Sequence, residues 1–230
     1  MPDPRDPGQL PLTVFYGGTF DPVHDGHLAI ARHARDHLQA TIALMPAADP
    51  PHRDAPGASA LHRARMLDLA AAAEPGLRVD RRELRRGNRS YSIDTLREVR
   101  AELGADAPIA LLIGADSLLG LADWKDWQAM FEFTHFVVAE RAGMAIDADL
   151  PGPLASFIDG RWAISAAGLR AAPAGRLLRL GQPLQPESAT DVRRRISAGQ
   201  PWRDLVPPAV AGYIERHRLY GAGAAAPASL

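Results

Sequence analysis

The sequence predicts an α/β protein: a doubly wound parallel sheet followed by a small C-terminal helical segment. Short apolar runs alternate along the chain with stretches in which apolar residues recur at helical spacing. The run 109–113 is apolar at every position, as is typical of a central parallel strand covered on both faces. In such a sheet the crossovers are right-handed, and ligands bind beyond the carboxyl ends of the strands. The loops that follow the strands are therefore the places where function is expected.

Each element is predicted from its own pattern. Strands are expected at 10–16, 41–45, 78–79, 109–113 and 136–139, and helices at 26–38, 60–73, 93–103, 190–197 and 209–218. The segment 143–175 contains Pro151 and Pro153 and has no readable pattern. We expect four units: a disordered N-terminus at 1–9, an α/β domain at 10–185, a helical segment at 186–221 and a disordered tail at 222–230.

Composition narrows the class of protein. The 26 basic and 27 acidic residues nearly cancel, so no overall field draws the chain to nucleic acid or to an anionic membrane. The absence of cysteine excludes disulfides, thiolate metal sites and cysteine nucleophiles. The polar start lacks the regions of a signal peptide, and no apolar stretch approaches the ~18 residues of a membrane helix. We expect a cytoplasmic enzyme with small-molecule substrates and leave a homo-oligomer open.

The strongest motif is residues 17–27, GGTFDPVHDGH, between the first strand and the first helix. Gly17 and Gly18 permit close approach of the backbone to a phosphate, and Pro22 keeps the chain out of the helix until Asp25 can cap it. His27 then lies in the first helical turn, beside unpaired amides and the positive end of the helix dipole. The motif is therefore placed to bind an anion.

His24 precedes His27 by three residues and can face the same anion. Two alternatives are a pair of surface histidines at a helix start and a metal site. The metal site is disfavoured because no matching cluster of carboxylates and histidines accompanies the pair. The segment resembles the GGTFDPxHxGH signature of nucleotidyltransferases with the HxGH motif, whose histidines contact ATP phosphates. The resemblance implies a Rossmann-like fold and these ATP-binding residues: Gly17, Gly18, Thr19, Phe20, His24, Gly26 and His27.

A second motif opens the first C-terminal helix at 187–193, ESATDVR. The hydroxyls of Ser188 and Thr190 can cap the helix or bind phosphate, and Arg193 lies one turn further on with a rigid cationic fork. Read alone, the segment is a capped helix. It resembles the ISSTxxR motif of the same superfamily, which implies that Arg193 is catalytic together with the two histidines. The chain departs from that motif at Glu187 and Ala189.

Three further segments resemble those of nicotinate-mononucleotide adenylyltransferases: PPHR at 50–53, SYSIDTL at 90–96, and IGADS at 113–117 followed by LADWKDW at 121–127. They imply mononucleotide-binding residues at Arg53, Tyr91, Ser92, Thr95 and Trp124, and further ATP-binding residues at Gly114 and Asp116. Trp124 would stack on the pyridine ring.

Several of these residues also have structural readings. Asp116 is expected at a ribose hydroxyl, but it could instead cap a helix. Trp127 is expected in the core. Arg53 and Arg63 are candidate phosphate ligands, although a single arginine is more often a solvated charge, and the basic run 81–89 is expected to be a solvated face.

The resemblance implies transfer of the adenylyl group of ATP to nicotinate mononucleotide, with magnesium carried on the ATP phosphates and no resident metal. The second pKa of a phosphate monoester is about 6, so the acceptor is already a nucleophile at neutral pH and needs no base. Other acceptors to consider are nicotinamide mononucleotide and phosphopantetheine. A class I aminoacyl-tRNA synthetase is disfavoured by the chain's length and weak basic surface, and a catalytically silent nucleotide-binding sensor is the alternative outside enzymes.

Overall fold

The computed structural model describes residues 10–48, 57–86, 90–140, 146 and 150–223. Its centre is a six-stranded, fully parallel sheet in the order β3-β2-β1-β4-β5-β6. The strands are β1 (Thr13–Gly18), β2 (Thr41–Pro46), β3 (Leu77–Val79), β4 (Ile109–Gly114), β5 (His135–Ala139) and β6 (Leu177–Arg179). This order is that of a doubly wound, Rossmann-like sheet, so the predicted fold class is confirmed.

Helices cover both faces of the sheet. They are α1 (Asp25–Leu38), α2 (Ala60–Ala71), α3 (Arg82–Arg85), α4 (Ser92–Leu103), α5 (Ala115–Leu119), α6 (Met130–Phe133), α7 (Gly152–Ile158), α8 (Ala166–Arg170), α9 (Ala189–Ser197) and α10 (Pro208–Arg216), with 3₁₀ turns at Leu121–Asp123, Arg203–Leu205 and Leu219–Gly221. One hydrophobic cluster joins α1, α2, α8, α9 and α10 to the sheet, and a second joins α4, α5, α6 and α7 to its other face. The strands are therefore buried on both sides, as their apolar runs predict.

The sheet reverses its winding between β1 and β4. From β1 the chain proceeds outward through β2 and β3, then returns to pair β4 with the other edge of β1 and proceeds through β5 and β6. The carboxyl ends of β1 and β4 thus lie side by side, at Gly17–Gly18 and at Gly114. A doubly wound sheet opens a ligand crevice at this switch point.

The structure adds to or differs from the expected elements at three places. The segment 143–175, for which no pattern was readable, contains α7 and α8, and β6 follows it where no strand was predicted. Gly17 and Gly18 are the last residues of β1; residues 17–24, which comprise this strand end and the turn after it, are called the glycine-rich loop below. Trp124 lies in a turn after a 3₁₀ helix.

The last helical turn that the structure describes ends at Gly221, and Ala222 after it is buried. The expected division of the chain into four units remains a prediction. Residues 1–9 and 224–230 lie outside the described residues, and their predicted disorder remains a prediction. No helix in the described ranges is long and apolar enough to cross a membrane.

Candidate functional site

Two cavities adjoin each other at the switch point of the sheet. The larger, of about 730 Å³, lies between the β1 end, the start of α1 and the start of α9, and we call it the phosphate cavity. The smaller, of about 430 Å³, lies between the β1 and β2 ends, the start of α4 and the turn at Trp124, and we call it the aromatic cavity. Both cavities are lined by Gly17, Gly18, Thr19, Asp116 and Ser117. They form one continuous site with two compartments.

The histidines of the first motif line the phosphate cavity together. The backbone N–H of His24 donates to Nδ1 of His27 at 3.3 Å, and the two ring centroids lie 3.7 Å apart. His24 is the residue that caps α1, so the prediction that Asp25 caps it is wrong; Asp25 is the first residue of the helix. Gly26 makes room for this arrangement, since a Cβ there would lie 3.1 Å from the His24 ring. The pair is thus fixed at the positive end of α1.

Phe20 supports the histidines from within the fold. It is almost fully buried, has a φ of 52°, and its ring meets His27 edge to face at 5.0 Å between centroids. Tyr16 packs against the other side of Phe20 at 5.4 Å. Phe20 lines the phosphate cavity, as its assignment there requires.

The second motif closes the phosphate cavity from the opposite side. Ser188, Thr190 and Arg193 all line it. Ser188 caps α9, with its Oγ accepting a hydrogen bond from the N–H of Asp191 at 3.2 Å. Arg193 lies over the glycine-rich loop and donates to the backbone oxygen of Asp21 at 2.5 Å. The structure therefore brings Arg193 and the two histidines around one cavity.

Gly114 and Asp116 lie at the junction of the two cavities. Gly114 ends β4 and Asp116 lies in the first turn of α5. A Cβ on Gly114 would come within 2.5 Å of Oδ1 of Asp116, so the glycine is required where the carboxylate folds back over the strand end. Gly114 and not Asp116 caps α5, and Asp116 lines both cavities.

The aromatic cavity receives three of the five residues assigned to the mononucleotide: Tyr91, Ser92 and Trp124. Thr95 lines neither cavity. It is 1 % exposed, donates a hydrogen bond to Oε1 of Glu83 at 2.9 Å and accepts one from Arg86 at 2.6 Å. Thr95 therefore lies behind the cavity wall, where it supports Glu83. Arg53 lies outside the described residues.

Glu83 is a lining residue that the motifs did not indicate. Only 8 % of it is exposed, and it faces the aromatic cavity from α3. Burial raises the pKa of the Glu83 carboxyl, while the Thr95 hydroxyl and the Arg86 charge act in the opposite direction. A raised pKa favours the neutral acid, which would repel an anionic ligand less than a carboxylate does.

Two expectations about arginines are wrong. Arg63 is fully buried and donates to the backbone oxygens of Ala58, Thr19 and Ala48, so it ties the glycine-rich loop to its neighbours and is not aimed at a ligand. The run 81–89 is not uniformly a solvated face, since Arg82 is buried in an ion pair with Asp80 at 2.7 Å. Trp127 is partly buried and packs on Phe157 at 5.0 Å, at the edge of the core in which it was expected.

Glu140, Gln182 and Lys125 also line the site and were not predicted. Gln182 holds the backbone of Glu140 through bonds at 2.7 and 3.3 Å, beside the end of β5. These two residues had no sequence signal because β6, just before Gln182, was not recognised. Lys125 had a signal, since it is the only lysine in the chain and directly follows Trp124.

Known proteins are similar to this chain over nearly its whole length. Residues 15–195 match the cytidylyltransferase-like family model. A protein of Stenotrophomonas maltophilia named probable nicotinate-nucleotide adenylyltransferase is 56 % identical, over 92 % of this chain and 97 % of its own. A protein of Xylella fastidiosa with the same name is 53 % identical, over 91 % of this chain and 96 % of its own.

Solved structures give the same fold. The nicotinic acid mononucleotide adenylyltransferase of Plasmodium falciparum, complexed with APC, superimposes with a TM-score of 0.65 at 15 % identity, over 91 % of this chain and 97 % of that one. The same protein complexed with NaAD gives a TM-score of 0.64. At this identity the likeness supports the fold alone.

Proposed function

The chain belongs to the cytidylyltransferase-like family and, within it, to the nicotinate-nucleotide adenylyltransferases, and on this premise we propose that it transfers the adenylyl group of ATP to nicotinate mononucleotide. The products are nicotinate adenine dinucleotide and pyrophosphate, so the enzyme acts in NAD biosynthesis. One observation supports this proposal above the others. A cavity lined by histidines and an arginine shares a wall with a cavity lined by aromatic side chains, as two substrates that react with each other require.

ATP is assigned to the phosphate cavity. Its triphosphate lies against the glycine-rich strand end, between the histidine pair of α1 and Arg193 of α9, where two helix N-termini and the Arg193 fork favour an anion. The ATP-binding residues we propose are Gly17, Gly18, Thr19, Phe20, His24, Gly26, His27, Gly114, Asp116, Ser188, Thr190 and Arg193. Asp116, at the junction, is assigned to a ribose hydroxyl.

Nicotinate mononucleotide is assigned to the aromatic cavity. Its pyridine ring stacks on Trp124, and its polar groups face Tyr91 and Ser92. Arg53 remains a proposed phosphate ligand on the strength of the family motif alone. Thr95 is proposed to act through Glu83, since its hydroxyl bonds that carboxyl and not the cavity.

The reaction takes place where the cavities meet. A phosphate oxygen of the mononucleotide attacks the α-phosphorus of ATP and forms a new P–O bond. The bond from that phosphorus to the bridging oxygen breaks, and the electron pair leaves with pyrophosphate. The attacking dianion needs no base, so the protein aligns the two substrates and His24, His27 and Arg193 stabilise the charge that develops on the leaving group. No covalent enzyme intermediate forms.

Magnesium is proposed to arrive on the ATP phosphates. Mg²⁺ prefers oxygen ligands and is commonly bound through substrate phosphates with few protein ligands. In the part of the chain that the structure describes, no three metal-ligating side chains are grouped to hold an ion, whereas Asp116, Glu140 and Glu187 offer carboxylate oxygens in the phosphate cavity. These few carboxylates fit a magnesium ion that is held chiefly by the ATP phosphates. The ion neutralises part of the charge of those phosphates. Activity in the cytoplasm and assembly into a homo-oligomer remain predictions.

The identity of the product tests the proposal. The protein is incubated with ATP and Mg²⁺ plus nicotinate mononucleotide, nicotinamide mononucleotide or phosphopantetheine, and each mixture is analysed by mass spectrometry and for pyrophosphate. We expect the nicotinate dinucleotide in stoichiometric amount with pyrophosphate. Phosphopantetheine as the preferred acceptor, or no pyrophosphate with any acceptor, would refute the proposal, and the latter result would favour a silent nucleotide sensor.

A further inference from the structure

The aromatic cavity has an unusual balance of charged residues. Its lining includes three carboxyl groups, on Glu83, Asp116 and Asp123. Among the described residues that line it, Lys125 is the only cation. An acceptor that carries a phosphate and a ring carboxylate is strongly anionic, so this single positive charge has a large share in determining which acceptors bind.

The ammonium of Lys125 lies at the aromatic wall of the cavity. Its Nζ is 4.7 Å from the centroid of the Tyr91 ring, and Lys125 follows directly after Trp124, the proposed stacking residue. The charge is thus next to the surface on which a pyridine ring would lie, and a ring substituent can reach it.

Within the described ranges, the ammonium of Lys125 forms one ion pair, and that pair is weak. Nζ lies 3.5 Å from Oδ2 of Asp94, and both side chains are more than 40 % exposed. Asp94 is also bound by Arg97, whose Nη1 lies 3.2 Å from Oδ1, and Arg97 in turn lies 3.7 Å from Asp126. Exposed pairs of this kind contribute roughly 0–1 kcal/mol. Lys125 can therefore turn from Asp94 to a ligand at little cost, because Arg97 still neutralises the aspartate.

We propose that the Lys125 side chain selects acceptors whose pyridine ring carries a carboxylate over those that carry a carboxamide. The inference rests on the proposed function and adds a specificity residue to it. The two ring substituents have nearly the same shape, so shape cannot separate them. A cation stabilises the carboxylate through a charge-assisted hydrogen bond, and it gains much less from the neutral amide.

Chemical labelling tests the contact directly, because the chain has one lysine. An amine-reactive acylating reagent labels Lys125 and the terminal amine, and mass spectrometry of the peptides gives the labelling rate at each. We expect saturating nicotinate mononucleotide to slow acylation of Lys125 at least about fivefold more than saturating nicotinamide mononucleotide, with the terminal amine as internal reference. Equal protection by both would contradict the proposal, since it would mean that the ring merely covers the ammonium.

Substitutions test the consequence for specificity. Lys125→Met and Lys125→Gln remove the charge, and we expect the ratio of kcat/KM for the acid to that for the amide to fall about tenfold. Lys125→Arg retains the charge, so we expect most of the preference for the acid to remain in this variant. Arg203→Met is the control for loss of a surface charge, because Arg203 is exposed, pairs with Glu215 and lines neither cavity, and its ratio should equal that of wild type.

Ionic strength gives a further readout that a merely structural lysine would not affect. The wild-type ratio should fall as salt rises from about 0.05 to 0.5 M, whereas the ratio of Lys125→Gln should stay constant. An equal loss on both acceptors, or an unchanged ratio in all variants, would overturn the proposal. A wild-type enzyme that makes no nicotinate dinucleotide would instead refute the proposed function, so the two failures are distinguishable.

Discussion

Arg193 of α9 and Asp21 of the glycine-rich loop are joined twice: Nη1 of Arg193 donates to the Asp21 backbone oxygen at 2.5 Å and lies 3.6 Å from its carboxylate. The same carboxylate accepts hydrogen bonds from the N–H groups of Gly57 and Ala58 and from the hydroxyl of Tyr220. The C-terminal segment is thereby joined to the loop that carries the histidines. The contacts with Asp21 hold the Arg193 guanidinium at the phosphate cavity.

Arg193→Ala should raise KM for ATP and lower kcat, because the variant lacks the fork that we propose binds the triphosphate. Equilibrium binding of the mononucleotide alone should change little, since Arg193 does not line the aromatic cavity. Arg193→Lys should restore activity only in part, because a point charge replaces a bidentate fork. Arg194→Ala, on the same helix but paired with Asp191 outside the site, is the control. Steady-state kinetics and calorimetric titration give the result, and weaker mononucleotide binding with normal ATP kinetics would show that α9 serves the other substrate.

His27→Ala should lower kcat by roughly 10²–10³ while the protein still folds, because we propose that this side chain stabilises charge that develops in the transition state. His33→Ala is the matched control, since His33 lies on the same helix and lines neither cavity. The measurement is kcat at saturating ATP, together with the melting temperature. Nearly full kcat in the His27 variant would remove the histidine from the catalytic set.

Tyr220→Phe should lower the free energy of unfolding by about 1 kcal/mol, a melting shift of about 2–4 °C. The hydroxyl is a buried donor to Asp21, and both burial and that hydrogen bond raise the pKa of Tyr220, so it stays protonated. Tyr213→Phe removes a hydroxyl that bonds an imidazole nitrogen of His62 rather than a carboxylate, and should cost less. Denaturant unfolding measures the loss of unfolding free energy in both variants. Equal losses would contradict a stabilising role for the hydrogen bond to Asp21.

Glu83→Gln should change how stability depends on pH. Burial raises the folded pKa of Glu83 above 4.5, so its contribution to stability is fully present below about pH 4.5 and is lost as the pH rises through the folded pKa. The glutamine does not ionise, and its side-chain oxygen can still accept from Thr95. Above pH 4.5 the free energy of unfolding of the variant should therefore rise relative to that of wild type, by up to about 1.4 kcal/mol for each unit of pKa shift.

Urea unfolding at intervals from pH 4.5 to 8 measures this difference. Glu98→Gln is the control, because Glu98 is half exposed and its difference from wild type should follow only its ion pairs with Arg86 and Arg82. A Glu83→Gln difference that is constant over the whole range would contradict the assigned pKa direction.

The sequence predicts the sheet well where burial dominates. The runs at β1, β2, β4 and β5 contain three to five consecutive apolar residues, and such runs form strands between helical layers. β6 escaped prediction because it has three residues and ends in Arg179. Its pairing with β5 comes from tertiary structure, which periodicity over so short a span does not show.

Contiguous sequence motifs predict which residues belong to the site. The contacts that determine what each residue does are made between segments that are distant in the chain. The histidines and Arg193 line one cavity, in agreement with the family motifs. Thr95 belongs to a motif, yet it faces Glu83, twelve residues earlier in the chain. The sequence makes Arg63 a candidate phosphate ligand, but in the structure its guanidinium donates to three backbone oxygens. Such partners come from different segments, so a local pattern cannot indicate them.

The ratio of kcat/KM for nicotinate mononucleotide to that for nicotinamide mononucleotide tests the central claim most directly, with ATP and Mg²⁺ held constant. Groups that donate hydrogen bonds to the carboxylate would face the amide NH₂ unpaired, at a cost of about 1–3 kcal/mol each. We predict a ratio of at least about 10 to 100 in favour of the nicotinate form. A ratio near one, or one that favours the amide, would contradict the assignment of the acceptor and leave adenylyl transfer standing.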